Sequence, residues 1–156
     1  MFNALDIPAY YYLIAVAIGV VIGLWKKDWR TGFLFAYSFF LLAETVLIRS
    51  PGTLRYEMIP FWSWREVFRK WPMTATGKMY LRQIILNIII FIPIGVVLSP
   101  KAGWKIILIA AGISAAIEIM QLVTHRGLFE FDDIIHNTLG AAAGCGLTAL
   151  IRKAKQ

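Results

Sequence analysis

A single cysteine, Cys145, excludes an intramolecular disulfide and any CxxC metal or redox site. Histidine is nearly as scarce. His125 and His136 stand eleven residues apart, a spacing that matches none of the usual zinc-ligand patterns. The chain has no HExxH helix, no glycine loop for cradling phosphate and no recognisable nucleophile motif. Acidic residues are few as well: 9 against 16 basic ones leave a formal charge of +7. That excess could suggest nucleic acid, but no nucleic-acid module accompanies it. In a hydrophobic chain such residues more often flank membrane spans and meet anionic lipid. Nucleic acid is therefore not an expected partner.

What the chain has in quantity is apolar surface. Hydrophobic residues make up 59% of it and aromatics 14%, against about 45–50% apolar in soluble domains. The mean hydropathy is +0.67. Several runs approach or reach the roughly 17–25 residues that cross a bilayer as helix. The expected fold is an all-α integral membrane protein, a bundle of about five transmembrane helices plus a short interfacial amphipathic helix. All of it falls in one domain over residues 1–156.

The spans are expected at about 8–25, 33–48, 84–98, 104–123 and 134–151. Tyr10, Tyr11 and Tyr12 at one end of the first and Trp25 at the other suit the head-group level. The short lead carries Asp6 and no basic residue, so it does not read as a signal peptide. Pro93 inside the third span predicts a kink. The one long connection, 49–82, holds Phe61, Trp64, Phe68 and Trp71 on one helical stripe, with Arg65, Glu66, Arg69 and Lys70 elsewhere. That pattern predicts an amphipathic helix over 61–71, too short to span and lying in the head-group plane.

Charge then sets orientation. With the N-terminus outside, the short cytoplasmic segments receive Lys26, Lys27, Arg30, Lys101, Lys105, Arg152, Lys153 and Lys155 against Asp28 alone. As many basic residues fall outside, but over much longer segments. Density near the span ends therefore favours this topology, with a cytoplasmic C-terminus.

The polar residues inside the apolar runs are the candidate site. Glu118, Gln121 and His125 share one helix face. A carboxylate in hydrocarbon costs about 3 kcal/mol on insertion scales, so Glu118 should face the bundle interior, protonated or paired. It is either a clamp between helices or a substrate or proton site. Asp133, Asn137, Gly140 and Gly144 lie along one face of the fifth span, and Gly140 with Gly144 forms a small-xxx-small pair for close backbone approach. That face should carry Asn137 inward, where Asn87 and Gln121 are its natural partners. One of Asp132 and Asp133 is explained as an N-cap. A cap does not explain Glu130 and Arg126, which leaves cation binding, acid–base work or a salt-bridged lid open. The histidine spacing speaks against a metal, and no metal or cofactor is expected. Arg49 is an interface anchor or the counter-ion of Glu44 and the acidic loop.

These residues also carry a family resemblance. Asn87, Phe91, Pro93 and Gly95 in the order N-x3-F-x-P-x-G resemble an element of the VanZ-like membrane protein family. Glu118 and Gln121, then Arg126, Phe129, Asp132, Asp133, the run from Asn137 to Gly140, and Gly144 resemble its second, more specific signature. Ile59-Pro60-Phe61 and Arg49 fit as well, so the likeness covers about residues 33 to 150. One departure is Glu130, where the family pattern has Asp. Its longer side chain speaks against a fixed metal geometry and less against a salt bridge.

The family is named for a protein linked to low-level resistance to teicoplanin, a lipoglycopeptide acting on cell-wall precursors outside the cytoplasmic membrane. The resemblance therefore implies a multi-pass protein of the bacterial cytoplasmic membrane. Its outward polar pocket would be built by Arg49, Asn87, Glu118, Gln121, Arg126, Asp132, Asp133 and Asn137. Expected partners are membrane lipids, a lipid-linked cell-wall precursor or a lipoglycopeptide antibiotic, and the small-residue stripe permits a homodimer. A membrane-embedded enzyme acting on a lipid head group is the competing reading, followed by a small proton- or ion-coupled transporter. No nucleophile or ligand set supports the first. For the second, the first two spans offer little beyond Glu44 to line a path.

Overall fold

The computed structural model describes residues 8–70 and 74–156. Its elements, in order, are α1 (Ala9–Trp25), α2 (Trp29–Leu42), β1 (Tyr56–Glu57), α3 (Trp62–Lys70), α4 (Ala75–Ala102), α5 (Lys105–Thr124), β2 (Phe129–Glu130) and α6 (Phe131–Lys153). A π-helical turn, Ala43–Leu47, extends α2. With that turn, α2 is long and apolar enough to cross a membrane, as are α4, α5 and α6; α1 is a shorter apolar helix of 17 residues. Large apolar side chains point outward along them, among them Leu13, Leu24, Ile89, Leu108 and Val123. So much exposed hydrocarbon suits lipid and not water. This is an all-α, multi-pass membrane protein.

The chain divides into two compact units. The first comprises the described residues up to Arg55 with Ile119–Leu128, and the second Tyr56–Glu118 with Phe129–Gln156.

In the first unit α1 and α2 form a helical hairpin. Its turn places Lys27 at φ 50°. Asp28 caps α2, its carboxylate accepting from the Arg30 N–H and the Thr31 hydroxyl, both at 3.1 Å. That cap starts the helix four residues before the apolar run alone suggests. The two helices touch through Gly19 and Gly32. A β-carbon on Gly32 would stand 2.2 Å from the Gly19 carbonyl oxygen, and one on Gly19 would stand 2.6 Å from that of Gly32. Gly32→Val is therefore expected to cost about 3 kcal/mol, read as an earlier unfolding midpoint in detergent–SDS titration. A midpoint equal to wild type would mean that the hairpin does not rely on this contact.

In the second unit α4 packs along α6, and α3 lies on α4. Thr74 caps α4 by accepting from the Gly77 N–H at 3.1 Å, so this helix begins at Ala75 instead of near Ile84. It continues without interruption through Pro93 and Pro100. Three glycines set the α4–α6 contact. Added β-carbons would stand 2.1 Å from the Ile88 carbonyl oxygen at Gly140, 2.2 Å from that of Ile92 at Gly144 and 2.1 Å from that of Ala141 at Gly95. The small-residue stripe of the last span thus closes against α4. A two-residue parallel pairing joins Tyr56–Glu57 to Phe129–Glu130, which helical periodicity gave no reason to expect.

The amphipathic helix spans Trp62–Lys70, and Trp71 lies outside the described residues. Its buried face is Ser63 and Val67, while Phe68 is 76% exposed. The aromatic stripe is therefore divided between the protein and the surroundings. Lys70 and Arg69 pair with Glu66, and Lys70 also sits over the Tyr80 ring at 5.5 Å. The hydrogen bond from Lys70 holds the Glu66 carboxyl below its ordinary range, with Arg69 and Arg65 adding to this and desolvation opposing it. Whatever this partly exposed pair adds to stability is present above the unfolded carboxyl pKa and lost as pH falls through the lower folded one.

Candidate functional site

Of the eight candidate residues, Arg49, Gln121 and Arg126 fall in the first unit, and Asn87, Glu118, Asp132, Asp133 and Asn137 in the second.

The second unit's cluster is built on the start of α6. Its N-cap position is Glu130, which makes no side-chain cap bond. Asp132 and Asp133 lie in the first turn, both buried. The expectation that one of them caps its own helix is corrected for Asp132, whose carboxylate caps α3. Oδ1 accepts from the Phe61 N–H at 2.5 Å, and Oδ2 accepts from the Ser63 N–H at 2.9 Å and its hydroxyl at 2.5 Å. Those N–H groups open a helix and have no partner within it. Phe61 also sits at φ 60°, costly for a residue with a β-carbon, and the cap offsets that cost.

One turn further along α6, His136 accepts through Nε2 from the Trp64 indole at 3.0 Å. Asp132 and His136 therefore hold the first turn of α3 together. Glu130 accepts from Gln83 at 2.5 Å. Glu118, 1% exposed, accepts from the Glu130 N–H at 2.9 Å, so its clamp closes on backbone. Asn137 donates to the Ser114 hydroxyl at 2.8 Å. That corrects the expected partners: a short hydroxyl on α5 reaches the amide, while the buried Asn87 Nδ2 has no partner among the described residues. Asp133 is buried in the same turn. Four carboxylates are thus brought into one unit, but among the described residues no three His, Cys, Asp or Glu side chains converge to hold a metal.

The first unit's cluster gathers where the α5 end meets the end of α2. Arg126 donates from Nη1 to the carbonyls of Leu47 at 2.7 Å and Arg49 at 3.1 Å. A guanidinium at a helix C-terminus satisfies orphan carbonyls and the dipole together. Gln121 donates to the Thr45 carbonyl at 3.0 Å. That carbonyl lies in the π-helical turn. The His125 carbonyl accepts from the Gly52 N–H at 2.7 Å. Glu44 is bonded to the Tyr12 hydroxyl at 2.9 Å, and Arg49 makes no ion pair with it.

The sequence pattern of the VanZ/LLP1 family matches residues 11–152. The chain belongs to that family. A curated relative, Protein VanZ from Enterococcus faecium, is 35% identical over 91 residues, or 53% of this chain and 52% of the relative. The chain thus spans about half the length of this curated relative. No solved structure matches it. In this VanZ-family chain the sequence pointed to the acids and amides but not to their partners. The roles of Ser63, Gln83, Ser114 and Thr45 were not signalled, and Trp64 read only as part of the aromatic stripe, because each meets a residue far away in sequence. Only the i, i+4 spacing of Asp132 and His136 hinted that both serve one neighbour.

Proposed function

We propose that this chain sits in a bacterial cytoplasmic membrane, N-terminus outside and C-terminus cytoplasmic, and binds an amphiphile through the outward-facing end of its polar residues. The amphiphile is a lipid-linked envelope precursor or a lipoglycopeptide, and its capture gives low-level teicoplanin-type protection. The observation that carries this reading is the fixed presentation of α3. The helix is capped by Asp132, and it exposes Phe61 and Phe68 beside Arg65 and Arg69. A polar groove of about 360 Å³ is lined by Glu57, Trp62, Arg65, Glu66 and Arg69. Aromatic rings beside guanidinium groups suit a molecule with a lipid tail and an anionic head. Family membership and the Protein VanZ relative support the envelope setting.

The test is binding of fluorescently labelled teicoplanin, and separately of a lipid-pyrophosphate cell-wall precursor, to the protein in nanodiscs. Empty nanodiscs and tail-less vancomycin are the controls. Arg65→Ala with Arg69→Ala should together weaken binding about thirtyfold, since each surface arginine contributes about 1 kcal/mol toward an anionic head group. Wild-type protein that retains neither probe above empty nanodiscs would sink the proposal.

A further inference from the structure

The first unit carries two polar groups that its own packing leaves unused, and they point at the same spot. Gly127 holds φ at +127°, a conformation that L side chains rarely adopt. Over its α-carbon, where a β-carbon would stand, lie the Arg49 Nη1 at 3.0 Å and the Gln121 Oε1 at 3.1 Å. Gln121 is 1% exposed and its amide is oriented by donation to Thr45, yet its Oε1 accepts from nothing among the described residues. A buried carbonyl oxygen without a donor is costly, and such atoms are rare unless something else fills the role.

Arg49 is half-buried, and among the described residues its guanidinium has no hydrogen bond or ion pair. The neighbouring arginine is already committed, because Arg126 is spent on the carbonyls of Leu47 and Arg49. Of the unit's described carboxylates, Asp28 caps α2 and Glu44 is bonded to Tyr12. A positive fork and a bare acceptor thus converge on a glycine, where even a β-carbon would crowd both atoms.

The geometry points to a binding site over Gly127 for a phosphoryl oxyanion that also carries a hydrogen-bond donor, with Arg49 holding the oxyanion and Gln121 Oε1 accepting from the donor. A guanidinium matches two phosphoryl oxygens at once. The acceptor adds a requirement that charge alone does not impose: the ligand must bring a hydroxyl or an amine. A glycerol-phosphate lipid head group meets both conditions, and so does hydrogen phosphate. This inference rests on the reading of the chain as an amphiphile binder, but it uses residues of the first unit and not the α3 groove of the second.

The test uses the full chain in delipidated detergent micelles, titrated with dihexanoyl phosphatidylglycerol, dihexanoyl phosphatidylmethanol and inorganic phosphate, read by native mass spectrometry and calorimetry. Phosphatidylmethanol has the same charge as phosphatidylglycerol but no hydroxyl. Wild type should bind phosphatidylglycerol about tenfold more tightly than phosphatidylmethanol, the discrimination a buried acceptor gives when its donor is missing. Arg49→Gln should weaken phosphatidylglycerol at least about tenfold, and Arg49→Lys should lie between. Both keep the Arg49 carbonyl that Arg126 uses. Competition by inorganic phosphate against either lipid would support the same site and name a soluble source.

Equal binding of the two lipids by wild type would overturn the site, and that comparison needs no variant to fold. So would Arg49→Gln that unfolds earlier while binding as wild type does, because Arg49 would then be a clamp. Labelled teicoplanin or precursor binding that survives either result would leave the broader reading intact. Loss of every lipid and antibiotic probe would remove both.

Discussion

Asp132→Ala is expected to free the start of α3 from α6 and to lower stability by about 4 kcal/mol. The carboxylate accepts from two N–H groups and a hydroxyl at one helix start, and each buried donor left without a partner costs about 1–3 kcal/mol. The positive φ of Phe61 adds to the loss once nothing fixes it. Asp132→Asn should recover part of it, because one amide oxygen can still accept. Hydrogen exchange of the protein in nanodiscs would check this: amides of residues 61–66 should exchange at least tenfold faster in the alanine variant, on the order of the loss of one such bond, while those of α4 below the contact stay protected. Unchanged exchange at residues 61–66 would mean that packing of Val67 and Trp64 alone holds the helix.

Gly140→Leu is expected to be the more damaging change. A β-carbon there would overlap the Ile88 carbonyl at 2.1 Å and press on the Phe91 side chain at 3.1 Å. The first of these is backbone and cannot rotate away, so the two helices must separate. Separation also loosens the contacts at Gly144 and Gly95 along the same seam. The cost should be on the order of 4 kcal/mol or more, at the upper end for overpacking. In SDS titration the variant should unfold before wild type or fail to purify as a monodisperse species. Gly146→Leu on the same helix, with open space at its α-carbon, should behave as wild type. Equal loss at both glycines would point to a general intolerance of bulk on α6 and not to the seam, since leucine is the better helix former.

How much of this could be read from the chain depends on whether the cause was local. Hydrophobic length alone locates the spans, because a bilayer imposes it on consecutive residues. The early starts of α2 and α4 were hidden, since Asp28 and Thr74 act as caps inside stretches that look like polar loop. The Gly140–Gly144 pair announced close packing, and α4 is the neighbour that uses it. For the polar cluster the identities were legible and the roles were not. Glu118 and Arg126 each meet backbone groups, N–H in one case and carbonyls in the other. A backbone partner leaves no mark on composition. Asn137 and Ser114 pair across 23 residues, and serine in an apolar helix gives no periodic signal. The amphipathic stripe was also incomplete as a guide. It identified α3, but the face against the protein is organised by Ser63 and Val67, with Trp64 drawn to His136.

The Asp132 cap has a consequence for how the protein is made. Residues 61–63 leave the ribosome well before Asp132, which stands 71 positions after Phe61. Until then the start of α3 has no carboxylate to meet its first N–H groups, and a nine-residue helix entered through the unfavourable backbone of Phe61 is too short to persist alone. The start of α3 is therefore expected to stay loosely structured until α6 has been made. A later helix would then shape an earlier one, and a nascent chain arrested before α6 should present that surface unformed.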